Sequence, residues 1–310
     1  MPVKIDRNSP AFQDLTDENV FVLPDDVAIH QQIRPQRILI LNLMPRKLVT
    51  ENQLLRLLSN SPLQVEIDFL YMKSHQSKNT SSSHLTSFYK TFDQIKSEFY
   101  DALIITGAPI ENIPFEAVDY WSELTNLLNW AETHVFSTLY ICWGAQAGLY
   151  AKYGFDKVPL AKKLSGIYEN SVENPKHPLF RGFDDSFFCP HSRYTETILP
   201  NLTADFEILS QSDESGISML CKKNYREIYL FGHLEYDRET LNFEYQRDLT
   251  AGKNPEIPEH YFPDENPSNQ PRMRWRESSF LFFGNWLNLI YQETFYDLSN
   301  LTRKREETVT

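Results

Sequence analysis

The chain has 310 residues, with 30 Lys+Arg against 42 Asp+Glu and a formal charge of −12. That balance disfavours nucleic acid and anionic membrane surfaces as partners, because both need clustered positive charge. A composition 41% hydrophobic and 14% aromatic excludes a disordered polyanion. Three widely spaced cysteines, Cys142, Cys189 and Cys221, make neither a disulfide framework nor a C-x-x-C zinc pair. The N-terminus lacks an apolar leader, and the longest uncharged run, Val135 to Ala151, is too short and polar to span a bilayer. A cytoplasmic protein with reduced thiols is expected. Glycine is scarce: ten residues, about 3% against a usual ~7%.

Residues 1–36 are polar and proline-containing, and are expected to form an N-terminal arm that packs on the body without a core of its own. RILILNL (Arg37–Leu43), bounded by Pro45, is an apolar run typical of a buried strand. A helix is expected from Thr50, with Thr50 as cap and Gln53 completing a capping box. VEIDFLYM (Val65–Met72) alternates as a second strand, Ser74–His84 reads as a loop, and Ser87–Phe99 as a helix. DALIITG (Asp101–Gly107) is a third strand and Val118–Glu132 an amphipathic helix. A fourth strand, Val135–Cys142, runs directly into a helix from Trp143. Strands alternating with helices imply an α/β fold, a parallel sheet with helices on both faces.

After Tyr153 the pattern changes. Short β-like pieces are expected at Ser186–Cys189, Phe206–Ser210, Gly216–Cys221 and Arg226–Phe231. Helices are expected at Arg238–Thr250 and around Ser278–Phe295, separated by a Pro- and Asn-rich loop. No Gly/Ser-rich linker divides the chain, so residues 37–300 are expected to be a single α/β domain with C-terminal helical elaborations, and residues 301–310 a disordered tail.

Two segments carry chemistry. In YICWGAQAGLY (Tyr140–Tyr150) a strand ends at Cys142 and small residues follow on a helix. A thiol at such a turn lies beside the positive end of the helix dipole, which favours the thiolate. Gly144 permits close approach, and the Trp143 backbone N–H is a natural oxyanion donor. The competing reading is a buried structural cysteine. In YLFGHLEYD (Tyr229–Asp237) a buried strand ends in Gly232-His233, and Glu235 follows two residues later. That spacing suits an imidazole base oriented by a carboxylate.

Together, the two segments resemble the class I glutamine amidotransferase-like (flavodoxin-like) fold. The G-x-C-x-G turn of that fold is altered: Tyr140 stands at the first glycine, and Cys142-Trp143-Gly144 keeps the rest. Further segments in order are LNLMPRK (Leu41–Lys47), ITGAP (Ile105–Pro109), KLSGIYE (Lys163–Glu169) and RGFDDSFFCPHSRY (Arg181–Tyr194). GHLEYD, HYFP (His260–Pro263), PRMRWR (Pro271–Arg276) and NWLN (Asn285–Asn288) complete the set. With these the chain closely resembles the homoserine O-acyltransferase family of methionine biosynthesis, from its N-terminus to about Asn300.

The resemblance implies Cys142 as acyl-thioester nucleophile, His233 as proton acceptor and Glu235 as its partner. It implies substrate contacts from Lys163, Ser192 and Arg247, and a Lys47 that helps form the oxyanion or acyl-donor site. The substrates would be L-homoserine and an acyl-CoA used as co-substrate, with no permanently bound cofactor and no metal, in a homodimer. Within the family, Gly at the position of Glu111 accompanies succinyl donors and Glu accompanies acetyl donors. A carboxylate there takes up space and repels the free carboxylate of a succinyl group. The expected activity is therefore homoserine O-acetyltransferase using acetyl-CoA. The alternatives are homoserine O-succinyltransferase, or a thiol glutaminase or hydrolase of the same fold.

Overall fold

In the computed structural model, residues 3–17, 22–24, 34–75, 79–200 and 202–301 are described. In chain order the elements are β1 (Val3–Ile5), α1 (Pro10–Asp17), β2 (Val22–Pro24), β3 (Gln36–Leu41), α2 (Lys47–Ser59), β4 (Val65–Leu70), α3 (Ser82–Phe88), β5 (Tyr89–Lys90), α4 (Phe92–Ile95) and β6 (Tyr100–Ile105). There follow α5 (Trp121–His134), β7 (Val135–Ile141), α6 (Trp143–Tyr153), β8 (Lys157–Val172), β9 (Ser186–Thr197), β10 (Phe206–Ser212), β11 (Gly216–Lys222), β12 (Glu227–Leu230), α7 (Thr240–Thr250) and α8 (Arg276–Glu293).

The strands join in one sheet, ordered β2-β1-β4-β3-β6-β7-β12-β11-β10-β8-β9, with β5 on β4. From β2 to β12 every pairing is parallel. From β12 to β9 every pairing is antiparallel. The centre of the parallel half is covered on both faces, which is why β3, β6 and β7 read as largely apolar runs while β4 alternates. Ile38 and Ile40 join Leu54 and Leu58 of α2 and Phe283 and Trp286 of α8 in one core. Leu39 and Leu41 join Leu124 and Leu128 of α5 and Leu149 of α6 in another. The alternation follows from the period of two along a strand.

Several boundaries differ from the sequence expectation. Helix α2 begins at Lys47, not Thr50, and no side chain caps it at Arg46. Nothing between Pro45 and Thr50 resists helix, so Thr50 is a buried interior residue. The helix expected over Ser87–Phe99 is broken into α3, β5 and α4. Tyr89 and Lys90 instead pair with the edge of β4, and a capping box at Thr91 and Gln94 starts α4. Strand β8 was not foreseen, and β9 is much longer than Ser186–Cys189. Their sequences mix charged and apolar residues because each pairs along its length while only partly covered. In the N-terminal segment, β1 pairs with β4, and Ile5, Ala11 and Leu15 pack into the core that holds α2. The tail expected to be disordered lies, from residue 302, outside the described residues, as do 18–21 and 25–33 of the arm. Among the described residues no helix is long and apolar enough to cross a membrane.

Candidate active site

The parallel strands β3, β6, β7 and β12 end on one side of the sheet, the side where ligands gather in open α/β folds. Their C-terminal loops supply Met44 and Pro45, Gly107–Pro109 and Glu111, Cys142 and His233 to a single cavity of about 530 Å³. Lys163, Ser192 and Tyr194 from β8 and β9 close another side, with Glu244 and Arg247 of α7.

Cys142 is the turn between β7 and α6. Its backbone takes φ 51° and ψ −115°, a conformation that costs a non-glycine residue about 1–3 kcal/mol and concentrates at functional sites. A hydrogen bond from Cys142 N–H to Leu230 O, 2.7 Å, anchors the turn to β12. Gly144 is required for packing: a Cβ there would lie 2.7 Å from Ile105 O and 2.8 Å from Thr106 O. Helix α6 can therefore start directly above the end of β6. Trp143 is the first residue of that helix, so its N–H has no acceptor within the helix. Its indole is fully buried beside Phe115 and Tyr120. Tyr140, at the altered first position of the turn, stacks on Tyr229 with centroids 4.6 Å apart.

His233 follows β12 and is 2% exposed. Its Nδ1 lies 2.6 Å from Glu235 Oε1, which leaves Nε2 as the nitrogen that can take up a proton, while the Cys142 sulfur lies 3.9 Å from Ser192 O. Burial by itself favours the neutral imidazole; the Cys142 sulfur and the Glu235 carboxylate outweigh it and raise the His233 pKa well above the usual value. Tyr236 stacks on the imidazole at 4.0 Å. Gly107 wedges between the two partners: a Cβ on it would meet Cys142 Cβ and His233 Cε1, each at 3.3 Å. The loop is held from behind by residues of the PRMRWR segment and α8. Trp275 Nε1 donates to Tyr236 O (2.8 Å) and Ser279 Oγ to Leu234 O (2.6 Å).

The opposite wall is ionic. Glu244 accepts hydrogen bonds from Lys163 Nζ (3.1 Å), Tyr236 Oη (2.9 Å) and Ser192 Oγ. Burial pushes the Glu244 pKa up, but the Lys163 ammonium and the Ser192 hydroxyl prevail and hold it below the usual carboxylate value. One turn on, Asp248 pairs with Arg247 (3.0 Å), Lys253 (3.2 Å) and Lys163 (3.8 Å). The Arg247 side chain is 56% exposed, at the rim. Glu111 stands in the turn after β6, where burial raises its pKa while Lys163 partly offsets the effect.

The structure thus brings Cys142, His233, Lys163, Ser192, Arg247 and Glu111 to one cavity, with Glu235 and Trp143 directly behind. Lys47 is not among the cavity's walls. Its buried ammonium donates to Asn42 O while Asn42 Nδ2 donates to Lys47 O at 3.2 Å, so it fastens the loop that presents Met44 and Pro45. Burial lowers its pKa to about 8, against the pull of Glu51. Sequence reasoning missed Glu244. Its place three residues before Arg247 on one helix, hence on the same face, was the available signal.

A family model described as homoserine O-succinyltransferase matches residues 2–296. A homoserine O-acetyltransferase of Streptococcus gordonii is 56% identical over 97% of this chain and 96% of its own. Enzymes of the same name are 55% identical in Streptococcus thermophilus, over 97% of both chains, and 56% identical in Lactococcus lactis, over 96% of this chain and 93% of that one. Among solved structures, a glutamine amidotransferase from Thermotoga maritima superposes with a TM-score of 0.57 at 14% identity, covering 84% of this chain and all of its own. A glutamine amidotransferase from Methylobacillus flagellatus gives 0.50 at 11% identity, over 86% and 99%. The fold is that of the glutamine amidotransferases, and the chain belongs to the homoserine O-succinyltransferase family.

Proposed function

We propose that this chain is a homoserine O-acetyltransferase that carries the acetyl group of acetyl-CoA to L-homoserine through a thioester on Cys142. The observation that carries the reading is the Cys142 turn, strained at φ 51° and coupled electrostatically to a His233 whose Nδ1 is held by Glu235. In the first half-reaction His233 Nε2 takes the thiol proton and the sulfur attacks the acetyl carbonyl. The oxyanion develops toward the Trp143 N–H, the C–S bond to coenzyme A breaks, and the proton returns to the departing thiolate. Exchange of one thioester for another keeps the acyl group activated. In the second half-reaction His233 takes the homoserine hydroxyl proton, the oxygen attacks the thioester, and Cys142 leaves and recovers a proton.

The ionic wall suits the acceptor. Arg247, exposed at the rim, can bind the amino acid carboxylate bidentately. Lys163 and Ser192 line the path, and the ionised Glu244 suits the α-ammonium. Glu111 disfavours a succinyl donor, since a second carboxylate would enter a site already holding a buried one. We further propose that the enzyme works in the cytoplasm as a homodimer, in keeping with its family resemblance, and light scattering in solution checks the dimer.

Intact-mass analysis tests the mechanism and the donor together. Mixed with acetyl-CoA, the protein gains one acetyl group that Cys142→Ala does not, and succinyl-CoA gives little adduct. Adduct from succinyl-CoA alone overturns the donor assignment, and acetylation that persists in Cys142→Ala overturns the mechanism.

A further inference from the structure

The catalytic cavity accounts for the thioester and the acceptor but leaves open where the far, polyanionic end of an acyl-CoA would rest. The cations on the cavity wall and rim are mostly neutralised: Lys163 by Glu244, Arg247 and Lys253 by Asp248. Arg46 is different. It adjoins the wall residue Pro45, and its guanidinium lies over the Phe243 ring at 5.4 Å. Among the described residues it has no carboxylate partner. Phe243 adjoins the wall residue Glu244, yet its own side chain is turned outward and 57% exposed. Leu48, 44% exposed, lies on the same first turn of α2.

A guanidinium without a carboxylate partner beside an exposed aromatic ring is a pair free to receive a ligand. The pair is also fixed in place, because Gln53 Nε2 donates to Thr240 Oγ1 (3.0 Å) and Arg56 pairs with Asp237 (2.7 Å), tying α2 to the start of α7. An aromatic face stacks on a purine, and a guanidinium binds phosphate through paired N–H groups or stacks on the base itself. The net charge of −12 makes an unneutralised cation next to the wall residue Pro45 the more selective signal.

We propose that Arg46 and Phe243 dock the 3′-phospho-ADP end of the acyl-CoA donor, with Phe243 against the adenine and Arg46 on the phosphates. The inference rests on the acyl-CoA reading given above. Both side chains are exposed, so Arg46→Ala and Phe243→Ala leave the core untouched.

Calorimetry with 3′,5′-ADP reads the dock without any acyl transfer. The wild-type protein binds it, each variant weakens binding about tenfold, and the Arg46 contribution shrinks as salt is raised. Kinetics with acetyl-CoA and with S-acetyl-N-acetylcysteamine, a donor lacking the nucleotide, give the second readout. The preference for acetyl-CoA over the truncated donor falls about tenfold in each variant, through KM. The dock is overturned if 3′,5′-ADP fails to bind the wild type, if the variants bind it as tightly, or if the donor preference is unchanged. If instead neither donor is consumed while 3′,5′-ADP binding depends on Arg46 and Phe243, the dock stands and the acyltransferase reading fails.

Discussion

The cavity has two unlike walls. On one, Cys142, His233 and Glu235 are at most 4% exposed, sit at the ends of parallel strands, and are fixed by backbone strain, ring stacking and the hydrogen bonds of Trp275 and Ser279. On the other, Lys163, Glu244, Arg247 and Asp248 come from an antiparallel strand and a helix, are held by ion pairs, and reach 56% exposure at Arg247. The first wall has one geometry and its groups act on reacting atoms. The second presents charges that water can partly screen and that can exchange a protein partner for a substrate. Damage to the first should therefore appear in the chemical step, and damage to the second in recognition of the acceptor.

The largest expected effect comes from the first wall. Cys142→Ala and His233→Ala each lower kcat by about 10⁶-fold, the scale seen when the nucleophile or its base is lost, and the double variant is little worse than either. Steady-state rates for the three proteins check this. Additive losses would mean that the two side chains do not act as one unit.

Next comes Glu244→Gln, which removes the charge that Lys163, Ser192 and Tyr236 share. Turnover with homoserine drops about a hundredfold, while the initial burst of Cys142 acetylation stays within severalfold of wild type, read by rapid quench and mass analysis. The loss is set by leaving buried donors unsatisfied, which costs about 1–3 kcal/mol. A pH signature accompanies it. The folded Glu244 pKa lies below its usual value, so its stabilising contribution is present above the unfolded pKa and lost as pH falls through the folded one. The gap in stability between wild type and Glu244→Gln should shrink below pH ~4.5. An equal loss in both half-reactions would erase the distinction between the walls.

The same contrast explains what could be read from the sequence. Cys142 and the His233–Glu235 pair were legible because each closes an apolar strand run, and histidine and acid are only two residues apart. Glu244 was not, since its partners come from 81 and 52 residues away and a glutamate on a polar helix looks solvated. Strand β8 escaped for a similar reason. Its pairing with β9, not its own alternation, makes it a strand. Lys163, Ser192 and Arg247 were reached through family resemblance rather than through any local pattern of charge.

A smaller effect, about tenfold, is expected from Glu111→Gly. Removing a carboxylate that burial already disfavours opens room and lifts repulsion, so the ratio of kcat/KM for succinyl-CoA to that for acetyl-CoA rises. If the ratio does not move, Glu111 is part of the cavity lining without choosing the donor.

Lys47 belongs to neither wall, so its effect on turnover should be the smallest and its signature should appear in stability. Its ammonium is 8% exposed and burial brings its folded pKa to about 8, below the ordinary lysine value of 10.5. Between those two values the unfolded chain binds the proton more tightly than the folded one, so stability must rise with pH across that window. Below pH 8 the buried charge costs its full amount; above 10.5 the cost is gone. Lys47→Met has the length to fill the space without the charge. Urea melts at pH 7.5 and at pH 10 should show wild type gaining about 2.4 kcal/mol on the variant, roughly a sixtyfold change in the folding equilibrium. Asn42 O loses its donor in the variant at both pH values, so that loss cancels in the comparison and the pH-dependent difference isolates the buried charge. A wild-type stability that stays level with Lys47→Met over this window would place the ammonium in water, one that falls would place it beside an acid, and either would return Lys47 to consideration as a cation of the ionic wall.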